Sequence, residues 1–261
     1  MGHERVGTLP KTKPWRIVVG QIASFTPAKS NISDITQQTL QNVRGRFDSI
    51  ETDSGVQSSF EFLVLLAFAS NERNPSKYLE SKGIQFPDNL TPLQLSKEIS
   101  KWINKNKESH EYAAFAQGAA VDAISEWYKK NDSSQTDMFT SVKNPADVWR
   151  KSANGSGFCE LSRLYFSKFT ERYLKYFLER EASSTLKSID DRNKFDAHIK
   201  THISDISEHA FETSKITQSF AAGWFNNQIK KGTPSKKSIQ AFLAISFGKM
   251  KSELLREEDK K

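Results

Sequence analysis

The stretch FCELSRLYFSKFTERYLKYFLERE, residues 158–181, decides the fold. At 100° per residue, Phe158, Tyr165, Phe166, Phe169, Tyr173, Tyr176 and Phe177 share one broad arc of a helix. A side that wide and that aromatic has to be covered by other elements, so this segment is expected to form the core of the second half of the chain.

Working outward toward the C-terminus, Ile189 to Lys231 reads as one long helix or as two broken near Glu212. Gly232, Thr233 and Pro234 then separate a last helix, Ser235 to Arg256, with Ile239, Leu243, Phe247, Met250 and Leu254 facing inward. Toward the N-terminus, Asn154, Gly155, Ser156 and Gly157 read as a turn, preceded by a short element carrying Val148 and Trp149. Residues 131–144 are polar and lack helical spacing, which marks an exposed loop or domain boundary. Ser109 to Lys130 is an alanine-rich helix whose small residues admit a close neighbour, with Phe115, Ile124 and Trp127 as larger anchors.

Thr91 and Pro92 make a cap and first-turn pair for a helix burying Leu95, Ile99, Trp102 and Ile103. Asn74 and Pro75 open a shorter one that Gly83 stops. Val56 to Ala69 is apolar nearly all round, with Glu61 interrupting the start of its most apolar run, Phe60 to Ala69, as suits a helix enclosed by neighbours at the centre of the N-terminal half. Ser33 caps a helix carrying Ile35, Leu40, Val43, Phe47 and Ile50. Before it, Trp15, Val18, Val19, Ile22 and Phe25 fall at helical spacing between Pro14 and Pro27, although the β-branched run Ile17, Val18, Val19 leaves a strand as the alternative. Met1 to Pro14 has neither periodicity and reads as an extended arm.

These elements predict an all-α, irregular multi-helix bundle of about eight to nine helices with an extended N-terminal arm. The expected organisation is an arm and short amphipathic helix over residues 1–30, a helical half over 31–130 and a second over 145–261, or one continuous domain. Internal repeats and sustained heptads are missing, which disfavours a solenoid or coiled coil.

With 261 residues, 36% of them hydrophobic, and 18 Phe and 5 Trp, the chain has enough apolar material to offset the entropy of ordering without staples. One cysteine, Cys159, excludes an internal disulfide and any cysteine-rich zinc site and suits a reducing compartment, so the cytoplasm is expected. The run Phe60 to Ala69 is too short to cross a bilayer, and no membrane association is expected. A net charge of +7 raises the odds of an acidic partner such as nucleic acid.

Several constellations could carry chemistry. His198, His202, His209, Asp191 and Asp205 fall within about 60° of one another on a helix wheel, and imidazoles at i and i+4 with a nearby carboxylate suit a metal such as Zn²⁺. The metal candidates are His198, His202 and Asp205. The same strip borders the apolar arc of Phe195, Ile199, Ile203 and Ile206, where amphipathic histidine commonly packs with its polar edge wet, and packing is the preferred reading. Cys159 opens a helix, where a thiol can be activated, but it lies on the side of Phe166, Tyr173 and Phe177 and reads as buried. Gly155, Ser156 and Gly157, with Arg150, Lys151 and Arg163 around them, could seat a phosphate, yet neither GxxxxGK nor GxGxxG is present and a plain turn is preferred.

For binding, Lys11, Lys13 and Arg16 surround Trp15, and this arm suits docking on a partner protein with Trp15 as anchor. Lys230, Lys231, Lys236 and Lys237 flank the Gly-Thr-Pro turn and suit contact with phosphates rather than with bases. The opening MGHERVG, followed by Leu9, Pro10, Lys11, Thr12 and Trp15, resembles the start of uncharacterised bacterial proteins encoded beside antiviral-defence genes. That resemblance implies work in a multi-protein system and supplies no mechanism.

The function expected from the sequence is therefore a non-enzymatic accessory or scaffold subunit of a bacterial complex, binding partner proteins through its arm, with no cofactor and no small-molecule substrate. A nucleic-acid-binding protein using the basic clusters is the alternative, and a metal-dependent enzyme using the histidine strip is the third.

Overall fold

The computed structural model describes residues 9–26, 32–43, 50–85, 91–106, 112–132, 145–213 and 217–256. Among them are eleven α-helices and no strand, so the all-α class holds while the helix number exceeds eight to nine. Three are short: α4 (Pro75–Ser81), foreseen from Asn74 and Pro75, α7 (Pro145–Arg150), at the short element carrying Val148 and Trp149, and α10 (Ala222–Lys231) each span ten residues or fewer. The longer helices are α1 (Lys13–Ala23), α2 (Ile32–Val43), α3 (Ser54–Ala69), α5 (Pro92–Asn106) and α6 (Ala113–Asn131). α8 (Gly155–Thr185), α9 (Ile189–Thr213) and α11 (Lys236–Arg256) complete the set. The break foreseen near Glu212 falls between α9 and α10, where a π-helical turn, Thr217–Ala221, leads into α10.

The bundle is organised around α8. This helix is 31 residues long, and it packs most extensively against α6 and α9, with α10, α1, α2 and α3 adding further cover. Most of its circumference is covered, and the strip left at the surface carries Lys168, Arg172, Lys175 and Glu179. Phe158, Leu161, Tyr165, Phe166, Phe169, Tyr173, Leu174, Phe177 and Leu178 are all buried, each worth roughly 1.5–3 kcal/mol when fully withdrawn from water.

The two segments predicted as centres of separate halves face each other. Phe60 of α3 lies 5.3 Å from the Tyr165 ring, 5.4 Å from Phe166 and 6.2 Å from Phe158, and stacks on Phe242 of α11 at 5.3 Å. One contiguous buried cluster therefore draws on residues from both sides of 133–144. The hydroxyl of Tyr165, at the centre of this cluster, is satisfied by Ser59 Oγ at 2.6 Å.

The N-terminal segment forms the short helix expected there and departs from the sequence reading in what its Trp15 does. Residues 13–23 form α1, capped by Thr12, whose hydroxyl accepts from the Trp15 amide at 3.2 Å. Trp15, Val18, Ile22 and Phe25 are buried against α8 and α9. The ring of Trp15, 2% exposed, meets Phe177 edge-on at 6.3 Å and its Nε1 donates to Glu181 at 2.8 Å. The indole expected to anchor a partner is spent inside the chain. Only Leu9 to Thr12 of the proposed arm are described ahead of α1; residues 1–8 lie outside the described residues.

Candidate nucleic-acid interface

The structure handles most of its interior-facing cations in one way, and this sets a standard for judging the rest. In the groove between α6 and α8, Arg172 lies flat on Gly118 and grips Asp122 with Nε at 2.8 Å and Nη2 at 2.7 Å. Lys168 bridges Glu126 at 3.3 Å and Glu171 at 3.4 Å. Lys175 joins Glu179 at 2.9 Å to Asp196 of α9 at 3.0 Å, and Lys130 pairs with Glu160. Neighbouring carboxylates hold the ammonium groups of Lys168 and Lys175 in their charged form, raising both pKa values against the opposing pull of burial. The groove has a volume of 890 Å³; Lys130, Lys168, Arg172 and Lys175 are paired in it as an interhelical ladder, while Lys129 and Lys200 on its lining have no ion pair among the described residues.

The turn between α10 and α11 is different. Gly232 takes φ +96°, a conformation that favours glycine, and Pro234 is buried, so the chain reverses here in a fixed shape. Ser235 caps α11, its hydroxyl accepting from the Ser238 amide at 3.2 Å. Across the surface from α4, the Tyr78 hydroxyl shares a 2.8 Å hydrogen bond with Thr233 Oγ1 and the ammonium of Lys82 sits 5.3 Å from the Tyr78 ring centre. Lys230, Lys231, Lys236 and Lys237 are all exposed around this clamped turn. Among the described residues none of the four has an ion-pair partner.

Helix electrostatics separate these lysines into two kinds. Lys230 and Lys231 stand in the last turn of α10, where the dipole welcomes cations. Lys236 and Lys237 open α11, where the dipole is already positive and the first turn has no acidic residue. The fold gains nothing from cations at that place, whereas an anion would meet two ammonium groups and a helix N-terminus together.

Beside the turn, an open cleft of 290 Å³ lies between α3, α5 and α11. Its walls include Glu61, Gln57, Asn106, Gln240, Ile239 and Lys236, the last shared with the lysine turn. Gln240 donates to Gln57 Oε1 at 2.9 Å, fixing both amides. Burial raises the Glu61 pKa and the Lys236 charge pulls it back down, yet the two do not approach within ion-pair distance.

The remaining sequence candidates are placed as follows. Lys11, Lys13 and Arg16 are exposed on or just before α1, while Trp15 is turned inward. His198 packs edge-on against Phe25 at 6.1 Å and shares a shallow pocket with His202 and Ile32. The side chains of Asp205 and His209 lie outside the described residues, and Asp191 belongs to the capping of α9, with the Ser188 hydroxyl donating to it at 2.6 Å. Among the described residues no three His, Cys, Asp or Glu are grouped so as to hold a metal ion.

Cys159 is buried, and desolvation pushes its thiol up to about 11, the reverse of activation. Gly155 and Gly157 are the first turn of α8 rather than a turn before it. Asn154 caps that turn, its side chain accepting from the Gly157 amide at 2.9 Å. A Cβ on Gly157 would stand 1.8 Å from the Lys151 carbonyl oxygen, and one on Gly155 would stand 2.9 Å from that of Ala222. These glycines serve close backbone approach, and the chain itself covers the helix end that a phosphate would need.

The sequence reading missed Tyr78, Lys82 and Thr233, which only tertiary structure brings together. Glu61 did carry a signal: it is the single charge in the apolar run Val56 to Ala69. No helix among the described residues is long and apolar enough to cross a membrane. No protein-family model, curated protein or solved structure matches this chain.

Proposed function

We propose that this is a non-enzymatic binding protein whose ligand is a phosphate-rich chain, a nucleic acid, held at the turn between α10 and α11. The observation that carries the reading is the placement of Lys236 and Lys237 at the positive end of α11, with Lys230 and Lys231 across the turn and no carboxylate within ion-pair distance of any of the four among the described residues. The paired ladder between α6 and α8 shows what cations look like here when they serve the fold. Four lysines left uncompensated on a rigid turn repel one another, and neutralisation by phosphates relieves that cost.

The test is a fluorescence-anisotropy titration of labelled oligonucleotides across a range of salt. If four phosphates are contacted, the logarithm of the affinity falls with the logarithm of salt at a slope of roughly −3 for a single strand. Lys236→Gln with Lys237→Gln shallows that slope by about 1.4. Absence of binding at low salt, or a slope indifferent to these substitutions, removes the reading.

The accessory-subunit reading keeps one specific support. On the outer side of α1, Ile17 is 56% exposed beside Lys13 and Arg16. A protein partner at that side would be lost on Ile17→Glu, and co-purification with products of neighbouring genes reports it. With Trp15 committed to the core, the contact would rest on Lys11, Lys13, Arg16 and Ile17 alone.

A further inference from the structure

The geometry points to the cleft beside Lys236 as a pocket for a single unstacked guanine base, read by the Glu61 carboxylate on one side and the Lys236 ammonium on the other; this rests on the nucleic-acid reading above and deepens it. The first support is that Glu61 has no hydrogen-bond or ion-pair partner among the described residues, although it is half-buried. Burial penalises its charge, and the Lys236 ammonium, beyond ion-pair distance, offsets that penalty only in part. Its oxygens are not among the sealed, unpartnered atoms of the interior, so they remain open to the cleft.

The second support is the complementarity of the two charged walls. Guanine presents adjacent N1–H and N2–H donors on one edge, matching the two oxygens of a carboxylate, and O6 and N7 acceptors on another, matching an ammonium. Adenine offers a carboxylate only its N6 amine, with an acceptor next to it, and uracil or thymine offers one N–H between two carbonyls. At the wall of the cleft the Gln57 and Gln240 amides are already oriented by their mutual hydrogen bond. A volume of 290 Å³ suits one base rather than a stack or a duplex. Because Lys236 belongs to both features, a strand whose backbone crosses the turn has its base at the mouth of the cleft. Duplex DNA, with its bases paired, cannot use the cleft without flipping one out.

The experiment compares a labelled all-thymine oligonucleotide with the same strand carrying one central guanine, and with one carrying one central adenine, on the full chain. The guanine strand is expected to bind about tenfold tighter than either other strand, the scale of one good bidentate base contact. In Glu61→Gln the ratio of guanine to thymine affinities falls to about one, because the amide opposes a donor of its own to the base. Equal affinity for all three strands in the natural protein, or a preference that survives Glu61→Gln in a variant that still unfolds cooperatively, overturns the pocket while leaving the phosphate-binding turn intact. Failure of every strand to bind at low salt removes the nucleic-acid reading and this inference together.

Discussion

Trp15 Nε1 donates a 2.8 Å hydrogen bond to Glu181 Oε1, joining α1 to the last turns of α8 across 166 positions of sequence. The carboxylate is 8% exposed and takes a second, longer contact from Ser184 Oγ at 3.4 Å. The pair converts α1 from a loose N-terminal element into one wall of the core. Trp15→Phe keeps the ring packed on Phe177 but strips the carboxylate of its best donor, and is expected to cost about 1–3 kcal/mol in urea unfolding. Adding Glu181→Leu to Trp15→Phe should recover part of that loss, since the orphaned charge goes too. Strict additivity of the two substitutions would show that the contact contributes nothing specific.

The glycines divide by what surrounds them. Gly157→Ala drives a methyl group into the Lys151 carbonyl and should lower stability by several kcal/mol or abolish folding. Gly248, exposed in the middle of α11 with nothing within 4 Å of a would-be Cβ, behaves oppositely. There Gly248→Ala should stabilise by about 0.5–1 kcal/mol, because alanine restricts the unfolded chain and favours helix. Chemical denaturation of both variants checks the pair, and equal effects of the same sign would contradict the geometry.

With its thiol pKa at about 11, Cys159 has roughly one thiolate in a thousand at pH 8 and little exposure to an electrophile. Alkylation by iodoacetamide at pH 8 should be slow on the folded protein and rapid once urea passes the unfolding midpoint. Fast native labelling would mean that the N-terminal end of α8 opens locally far more often than its packing suggests.

Local chemistry made some of this structure legible and hid the rest. The start of α5 at Pro92 follows from Thr91 and Pro92, neighbours in sequence, and the buried arc of α8 follows from spacing within one helix. The Trp15 stripe announced burial equally well, but not against what. Its destination is Glu181, and a buried carboxylate near the end of an otherwise charged helical stretch looks like any solvated Glu until the partner is known. Gly155 and Gly157 read as a turn because glycine pairs usually make one, whereas here they admit the Ala222 and Lys151 carbonyls. The lysine turn was visible as composition. What distinguishes it from the other lysines, the lack of answering carboxylates and the Tyr78 clamp from 155 positions away, exists only in three dimensions.

Glu61 offers the most direct link between stability and binding. Burial raises its pKa above the ordinary value of 4.5, with Lys236 opposing, so the folded state holds the proton more tightly than the unfolded chain does. Stability from this group is therefore greatest when it is protonated and falls as pH rises from the unfolded value through the folded one, after which it stays level. Glu61→Gln removes that penalty. The variant should match the natural protein at about pH 4 and exceed it in urea midpoint at pH 7, with the gap opening between those limits. A charge retained at a cost to the fold is what a binding group looks like when its partner is missing, and the same substitution that stabilises the chain is expected to erase its preference for guanine. A gap that does not change with pH would trace the stabilisation to packing, and Glu61 would then lose its claim to be an uncompensated charge.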